Sequence, residues 1–205
     1  MAKKKPVAMK KTVVKKTVAK NKGTAAKGGI RRVRKTAIPK SQGTIMAMLE
    51  MLAEVMALQI NTVIAEKFPE VRDAKYNCYS IVLKFGRHFT PTPKPKDIPW
   101  GQQKDCYMNA LRAMCDDGEG LVYCEGFAIP AYFPGNPVAH AWCVDPKTGT
   151  VIDNTWRESG LEYYGIPFSS KFVHSTIGER GRTSILEGNG ALMKNGLPKG
   201  AVVSI

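Results

Sequence analysis

The first 40 residues contain 12 Lys and 3 Arg and no Asp or Glu, a balance of +15. Residues 41–205 hold 16 basic and 17 acidic side chains, a balance of −1. Fixing a chain costs roughly 1–2 kcal/mol per residue, which only buried apolar surface offsets. Residues 1–40 offer Lys, Ala, Val and Thr without a long apolar stripe, so they are expected to be a disordered basic arm. Any folded core must come from 41–205, a length that fits one domain. With 43% hydrophobic residues, the chain has the material for that core.

The arm carries a short repeat, KTVVK (11–15), KTVAK (16–20) and the looser GTAAK (23–27). Lys3, Lys4, Lys5, Lys10, Lys11, Lys15, Lys16, Lys20, Arg31, Arg32 and Arg34 can each neutralise a phosphate and release counterions. With no aromatic residue to stack on bases, such binding to nucleic acid or another polyanion is non-specific. The composition resembles the Lys/Ala-rich tails of linker histones and of bacterial histone-like proteins. No apolar run follows the leading charges, which argues against a secretory signal. Lys dominance and the lack of Ser before Ser41 argue against a transit peptide.

Five cysteines, an odd number without a C-x-x-C pair, fit neither a disulfide framework nor a structural zinc site. Reduced thiols in an intracellular, reducing compartment are expected. The most apolar window, 45–64, contains Glu50 and Glu54, which makes a membrane span improbable. It reads as a helix over 43–67 stopped by Pro69, with Met46, Met48, Met51 and Met56 filling gaps in the core. Periodicity leaves 76–86 open between a strand and a helix end, and the four prolines of 89–99 mark an extended connector. Asp105 is a candidate N-cap for a helix beginning CYMNAL and ending at Asp116-Asp117-Gly118. Strands follow at 121–129, 138–145 and 150–156, the last two joined by the turn PKTG. Beyond the aromatic stretch 161–168, a helix over 169–178 and a short end strand AVVSI complete the chain.

This order puts Cys106 in the first turn of a helix, where free amide donors and the helix dipole favour a thiolate. The other cysteines fall in or next to expected strands or, for Cys115, at a helix end. A thiol nucleophile needs a base, and His140 lies in a strand between the small Ala139 and Ala141. If PKTG pairs Asp145 with Thr150, Trp142 faces Asp153, and His140 shares that face two residues away. Diagonal neighbours lie about 7–8 Å apart, within reach of an imidazole–carboxylate bond that orients the ring. Asn154 points the other way in that register and is the reserve orienting residue.

The run DCYMNA, YCEGFAIP, AHAWCVD, VIDNTW resembles the core of the transglutaminase-like superfamily, whose fold is related to that of papain-like cysteine proteases. The resemblance covers about residues 100–168. It implies an α+β fold, a nucleophile helix packed on a small antiparallel sheet, and a triad of Cys106, His140 and Asp153. Thr155 and Trp156 complete the D-x-T-W segment, and the Gly126 segment matches the strand before the His. The chain departs from the common pattern at Lys104-Asp105, where a small residue is frequent, and at Tyr107, where Trp is frequent. For the oxyanion, the Cys106 amide is one donor, with Gln102 or Gln103 as side-chain candidates or as surface residues. The chemistry implied is acyl transfer on an amide of a peptide or protein through a thioester, hydrolysis being favoured over cross-linking. No metal or cofactor is required. A zinc site using His140 with Cys143 or Cys124 lacks ligand spacing. The alternative of a different class is a catalytically inactive, nucleic-acid-associated structural protein of the same fold.

Overall fold

The computed structural model describes residues 42–60, 65–67, 71–116 and 120–205, so the basic arm and the residues named in it lie outside the described residues. Helix α1 (Gln42–Gln59) is built from strong helix formers. It buries Ile45 and Leu49 while Glu50 and Glu54 face solvent. Of the helix expected over 43–67, α1 covers the stretch to Gln59 and α2 (Ala65–Lys67) lies at its far end, with 61–64 outside the described residues. Among the described residues no helix is long and apolar enough to cross a membrane.

The ambiguous stretch 76–86 resolves into helix α3 (Cys78–Phe85), and strand β1 (Arg87–Phe89) follows directly after it. A capping box decides for the helix. Asn77 Oδ1 accepts from the Ser80 amide at 2.9 Å, and Ser80 Oγ accepts from the Asn77 amide at 2.8 Å. The Asn77 side chain also donates to the Ala53 carbonyl at 2.9 Å, which pins α3 to α1. The extended connector therefore begins after Phe89, one residue later than composition suggested.

Helix α4 (Cys106–Asp116) precedes strands β2 (Val122–Ile129), β3 (Val138–Asp145), β4 (Thr150–Ile152) and β5 (Glu162–Pro167). Among the described residues these strands form one antiparallel sheet in the order β1-β5-β2-β3-β4, so the fold is α+β. Its two edges meet. Thr90 bridges Thr150, and Thr92 Oγ1 donates to the Val151 carbonyl at 2.7 Å, so the sheet curls around one face. Phe89, Cys124, Trp142, Val144, Val151 and Tyr163 pack together on that inner face. Tyr123, Phe127, Cys143, Tyr164 and Ile166 pack on the other with Ile45, Leu49, Ile81 and Val82 of the helices. Each such side chain contributes roughly 1.5–3 kcal/mol by leaving water.

Helix α5 (Ser170–Arg180) is capped by the Ser169 hydroxyl and ends at Gly181 with φ 61°, close to the expected 169–178. Helix α6 (Gly190–Asn195) falls between the expected helix over 169–178 and the expected end strand, where no element was expected, and the Asn189 side chain caps it. The expected end strand AVVSI makes one bridge, Phe168 to Val202, and is no strand.

Gly126 and Gly165 face each other across β2 and β5. A Cβ on Gly126 would lie 2.4 Å from the Gly165 Cα and from the Tyr164 carbonyl oxygen, both backbone. Because backbone cannot yield as a side chain can, Gly126→Ala should cost at least ~2 kcal/mol. A urea titration showing an unchanged midpoint would contradict that close approach.

Candidate active site

The β3–β4 turn fixes the geometry on which the site depends. Asp145 accepts from the Lys147 amide at 2.8 Å and from the Thr148 hydroxyl at 2.9 Å, and its carbonyl accepts from the Gly149 amide at 2.8 Å. The register is Asp145 with Thr150, Val144 with Val151 and Cys143 with Ile152, as the sequence predicts. Strand β4 ends at Ile152 rather than Trp156 because Asp153 turns the chain. Its Oδ1 accepts from the Thr155 and Trp156 amides at 2.9 and 3.3 Å. The carboxylate is thereby held at the strand end with Oδ2 directed at His140.

His140 Nε2 lies 2.8 Å from Asp153 Oδ2, with both residues buried. The Cys106 side chain lies close enough to the same imidazole to bear on its protonation. With Nε2 committed to the carboxylate, the nitrogen left for the sulfur is Nδ1. Burial pushes the His140 pKa down, but the Asp153 carboxylate and the Cys106 side chain outweigh it and lift the pKa to about 9. Burial acts to raise the Asp153 carboxyl, yet the His140 ring and the donors around it hold it below its usual range. Both directions describe an imidazolium–carboxylate pair. Trp156 stacks on the ring at 3.8 Å and 10°, covering one face of the pair, and the exposed Tyr132 packs edge-on against Trp156.

Cys106 is half-buried, so its sulfur lies at the boundary between this buried pair and solvent. It opens α4, where the first amides have no partner within the helix. The Asp105 carbonyl accepts from the Asn109 amide at 2.9 Å, the first bond of that helix. The preceding turn is tight, and Lys104 takes a left-handed φ of 64° at the position where the resembling family favours a small residue. Gln102 and Gln103 are exposed. It is the Gln102 backbone that engages the helix, donating to Asn109 Oδ1 at 3.0 Å and accepting from Asn109 Nδ2 at 2.6 Å.

Asn109 is a site residue that sequence reasoning missed. Buried within α4, it also donates to Thr155 Oγ1 at 2.9 Å, which locks the loop before Cys106 to the segment after Asp153. Asn154 donates to the Asn109 carbonyl at 3.4 Å and takes no part in orienting His140, so the reserve role stays unfilled. Tyr163 was also missed. Its hydroxyl donates to Asp153 Oδ2 at 2.8 Å and accepts from the Gly160 amide at 2.9 Å. The one prior signal was its place in an aromatic stretch that the strand alternation would turn inward.

Helix placement alone does not single out Cys106. Cys78 also opens a helix, directly after the Asn77 cap, contrary to the expectation that the other four cysteines lacked this position. The neighbours separate them, since burial pushes the Cys78 thiol up. Cys143 donates to the Ala110 carbonyl, Cys124 is buried, and Cys115 is exposed near the end of α4. The other histidines stand elsewhere, His88 edge-on to Tyr164 in β1 and His174 exposed on α5. Among the described residues no group of three His, Cys, Asp or Glu side chains could hold a metal. No family model, curated protein or solved structure matches the chain.

Proposed function

We propose that residues 41–205 are a cysteine-dependent acyl-transfer enzyme of transglutaminase-like, papain-related fold, hydrolysing an amide. The observation that carries the reading is the buried His140–Asp153 pair at 2.8 Å, on whose imidazole Cys106, at the start of α4, also acts. In this scheme the Cys106 thiol has already passed its proton to His140 Nδ1, which gives the imidazolium, and the anionic sulfur attacks the amide carbonyl. The oxyanion is met by the free amides at the start of α4. His140 then gives its proton to the departing amine, leaving a thioester on Cys106. Water attacks the thioester, His140 takes a proton from it, and the acid leaves as the thiol is restored. Asp153 remains an anion throughout and stabilises the imidazolium.

Alkylation by iodoacetamide, mapped by peptide mass, tests the nucleophile. Cys115 is an internal control, because it is the more exposed thiol. Cys106 should react at least tenfold faster than Cys115 at pH 7, and His140→Ala should abolish that advantage. Labelling in order of exposure alone would leave the inactive structural protein as the better reading.

The basic arm is proposed to hold the enzyme on nucleic acid, within a reducing compartment. Its charge is the support, +15 against a domain of −1. For 6–10 phosphate contacts, duplex affinity should fall roughly 10³–10⁵-fold between 50 and 200 mM salt. Replacing the arm's named lysines and arginines by Gln in the full chain should remove both affinity and salt dependence, measured by fluorescence anisotropy. Unchanged binding would place the contact on the domain instead.

A further inference from the structure

Asp153 Oδ2 is shared between two partners. His140 Nε2 lies 2.8 Å from it, and the Tyr163 hydroxyl donates to it at 2.8 Å. Asp153 Oδ1 accepts from the Thr155 and Trp156 amides, so each oxygen of the carboxylate carries two bonds. The acyl-transfer scheme assigns work to His140 and leaves the phenol without any. Yet the direction of the phenol bond is fixed. A hydroxyl has one proton, and the Gly160 amide donates to Tyr163 Oη at 2.9 Å, which leaves that proton for Asp153.

The surroundings are built for this contact. Tyr163 is fully buried in β5, opposite Ala128 of β2, and its ring packs edge-on to Trp142 at 5.1 Å. A Cβ at Gly160 would lie 3.0 Å from Tyr163 Oη and 3.0 Å from Trp156 Cζ3, so glycine there lets its amide reach the phenol. Burial and the neighbouring carboxylate push the phenol far above its ordinary value, which keeps it a protonated donor. The titratable groups bearing most on the Asp153–His140 pair are Cys106 from α4 and Tyr163 from β5. Trp142 and Trp156, which stack along the imidazole, are uncharged.

We propose that Tyr163 is a positioning residue of this site: its hydroxyl keeps Asp153 Oδ2 on the imidazole and draws off part of its negative charge, so that the imidazolium still yields its proton to the departing amine. The inference rests on the acyl-transfer reading above and adds to it what sets the pH range of the same site. A carboxylate directing all its charge at the ring would hold the imidazolium harder and make it a poorer acid. A neutral donor spreads that charge without cancelling it. Tyr163 thus acts through Asp153.

The full chain labelled with ¹⁵N-histidine tests this, since its three histidines give a tractable titration. Removing the hydroxyl in Tyr163→Phe should raise the His140 midpoint by about 0.5–1 pH. The upper limb of the pH profile for Cys106 acylation by a p-nitrophenyl ester should rise with it. Tyr163→3-fluorotyrosine keeps the ring and the hydroxyl but makes a stronger donor, so it should move both downward. A residue that merely fills space would not give opposite shifts in the two proteins. The fluorinated chain also decides the matter if Tyr163→Phe folds poorly. An unmoved midpoint and an unmoved limb overturn the role of Tyr163, and selective iodoacetamide alkylation of Cys106 in the same proteins then leaves the nucleophile standing. Absence of selective alkylation in the native chain overturns the acyl-transfer reading and this role with it.

Discussion

Asp153→Asn is expected to slow acylation of Cys106 by a p-nitrophenyl ester about 10³–10⁴-fold while the domain stays folded. Asp153 Oδ1 accepts from the Thr155 and Trp156 amides, so an asparagine keeps its oxygen there and presents its NH₂ where Oδ2 stood. That NH₂ meets His140 Nε2, which must then accept. The ring proton moves to Nδ1, the nitrogen facing Cys106, and the imidazole can no longer take the thiol proton. The substitution also removes the charge that sustains the imidazolium, so the His140 midpoint of about 9 should fall, with burial pulling it down. A ¹⁵N-resolved titration of His140 reads this directly. An unshifted midpoint with full acylation would show that the carboxylate is not coupled to the ring.

Stability should carry the same signature. A histidine whose folded pKa is about 9, against about 6.5 unfolded, stabilises the fold fully below pH 6.5 and loses that contribution as pH rises toward 9. The stabilisation at stake is on the order of 3 kcal/mol. Asp153, held below its usual range, acts at the other end, its contribution fading as pH falls through its folded value. Urea unfolding at pH 6 and pH 9.5 should therefore diverge more in the native protein than in Asp153→Asn. Other groups titrating near pH 9 are common to both proteins and cancel in that comparison.

The part of this site that could be read from sequence was set by local rules. The PKTG turn has an aspartate before it and a glycine at its end, which fixes the even register and hence the shared face of His140 and Asp153. Alternation along β3 then placed Trp142 and Val144 inward with His140. Residues whose role depends on distant partners escaped. Tyr163 meets Asp153 only because β5 inserts beside β2, a non-sequential neighbour. Asn109 looks like an ordinary polar helix position until α4 is docked against residues 153–155. The Asn77–Ser80 capping box is legible in the sequence, but the apolar periodicity that marks a helix is weak over only eight residues. Cys78 was misplaced for the same reason.

Glu125→Ala should produce the largest loss of stability of any single substitution in the described domain, about 4 kcal/mol or more. In β2 this buried carboxylate has no cation among its hydrogen-bond partners. Each oxygen accepts twice: Oε1 from Ser184 Oγ at 2.5 Å and the Leu186 amide at 3.0 Å, Oε2 from the Ile185 amide at 2.7 Å and Tyr123 Oη at 3.0 Å. Burial pushes the carboxyl up and these donors pull it down, burial being the stronger. The carboxylate fastens the 184–186 segment to the sheet. Alanine would leave four donors without an acceptor, at roughly 1–3 kcal/mol for each left dry, and open a cavity besides. For a domain of this size the loss corresponds to a Tm lower by about 8–16 °C. Glu125→Gln should fall between, since its oxygen still serves one pair of donors while its NH₂ opposes the other. The exposed Glu187→Gln should change Tm little, because it removes a charge already solvated. If Glu125→Gln proved as stable as the native protein, the donors would have found other partners, and the charge would not be what fixes the loop.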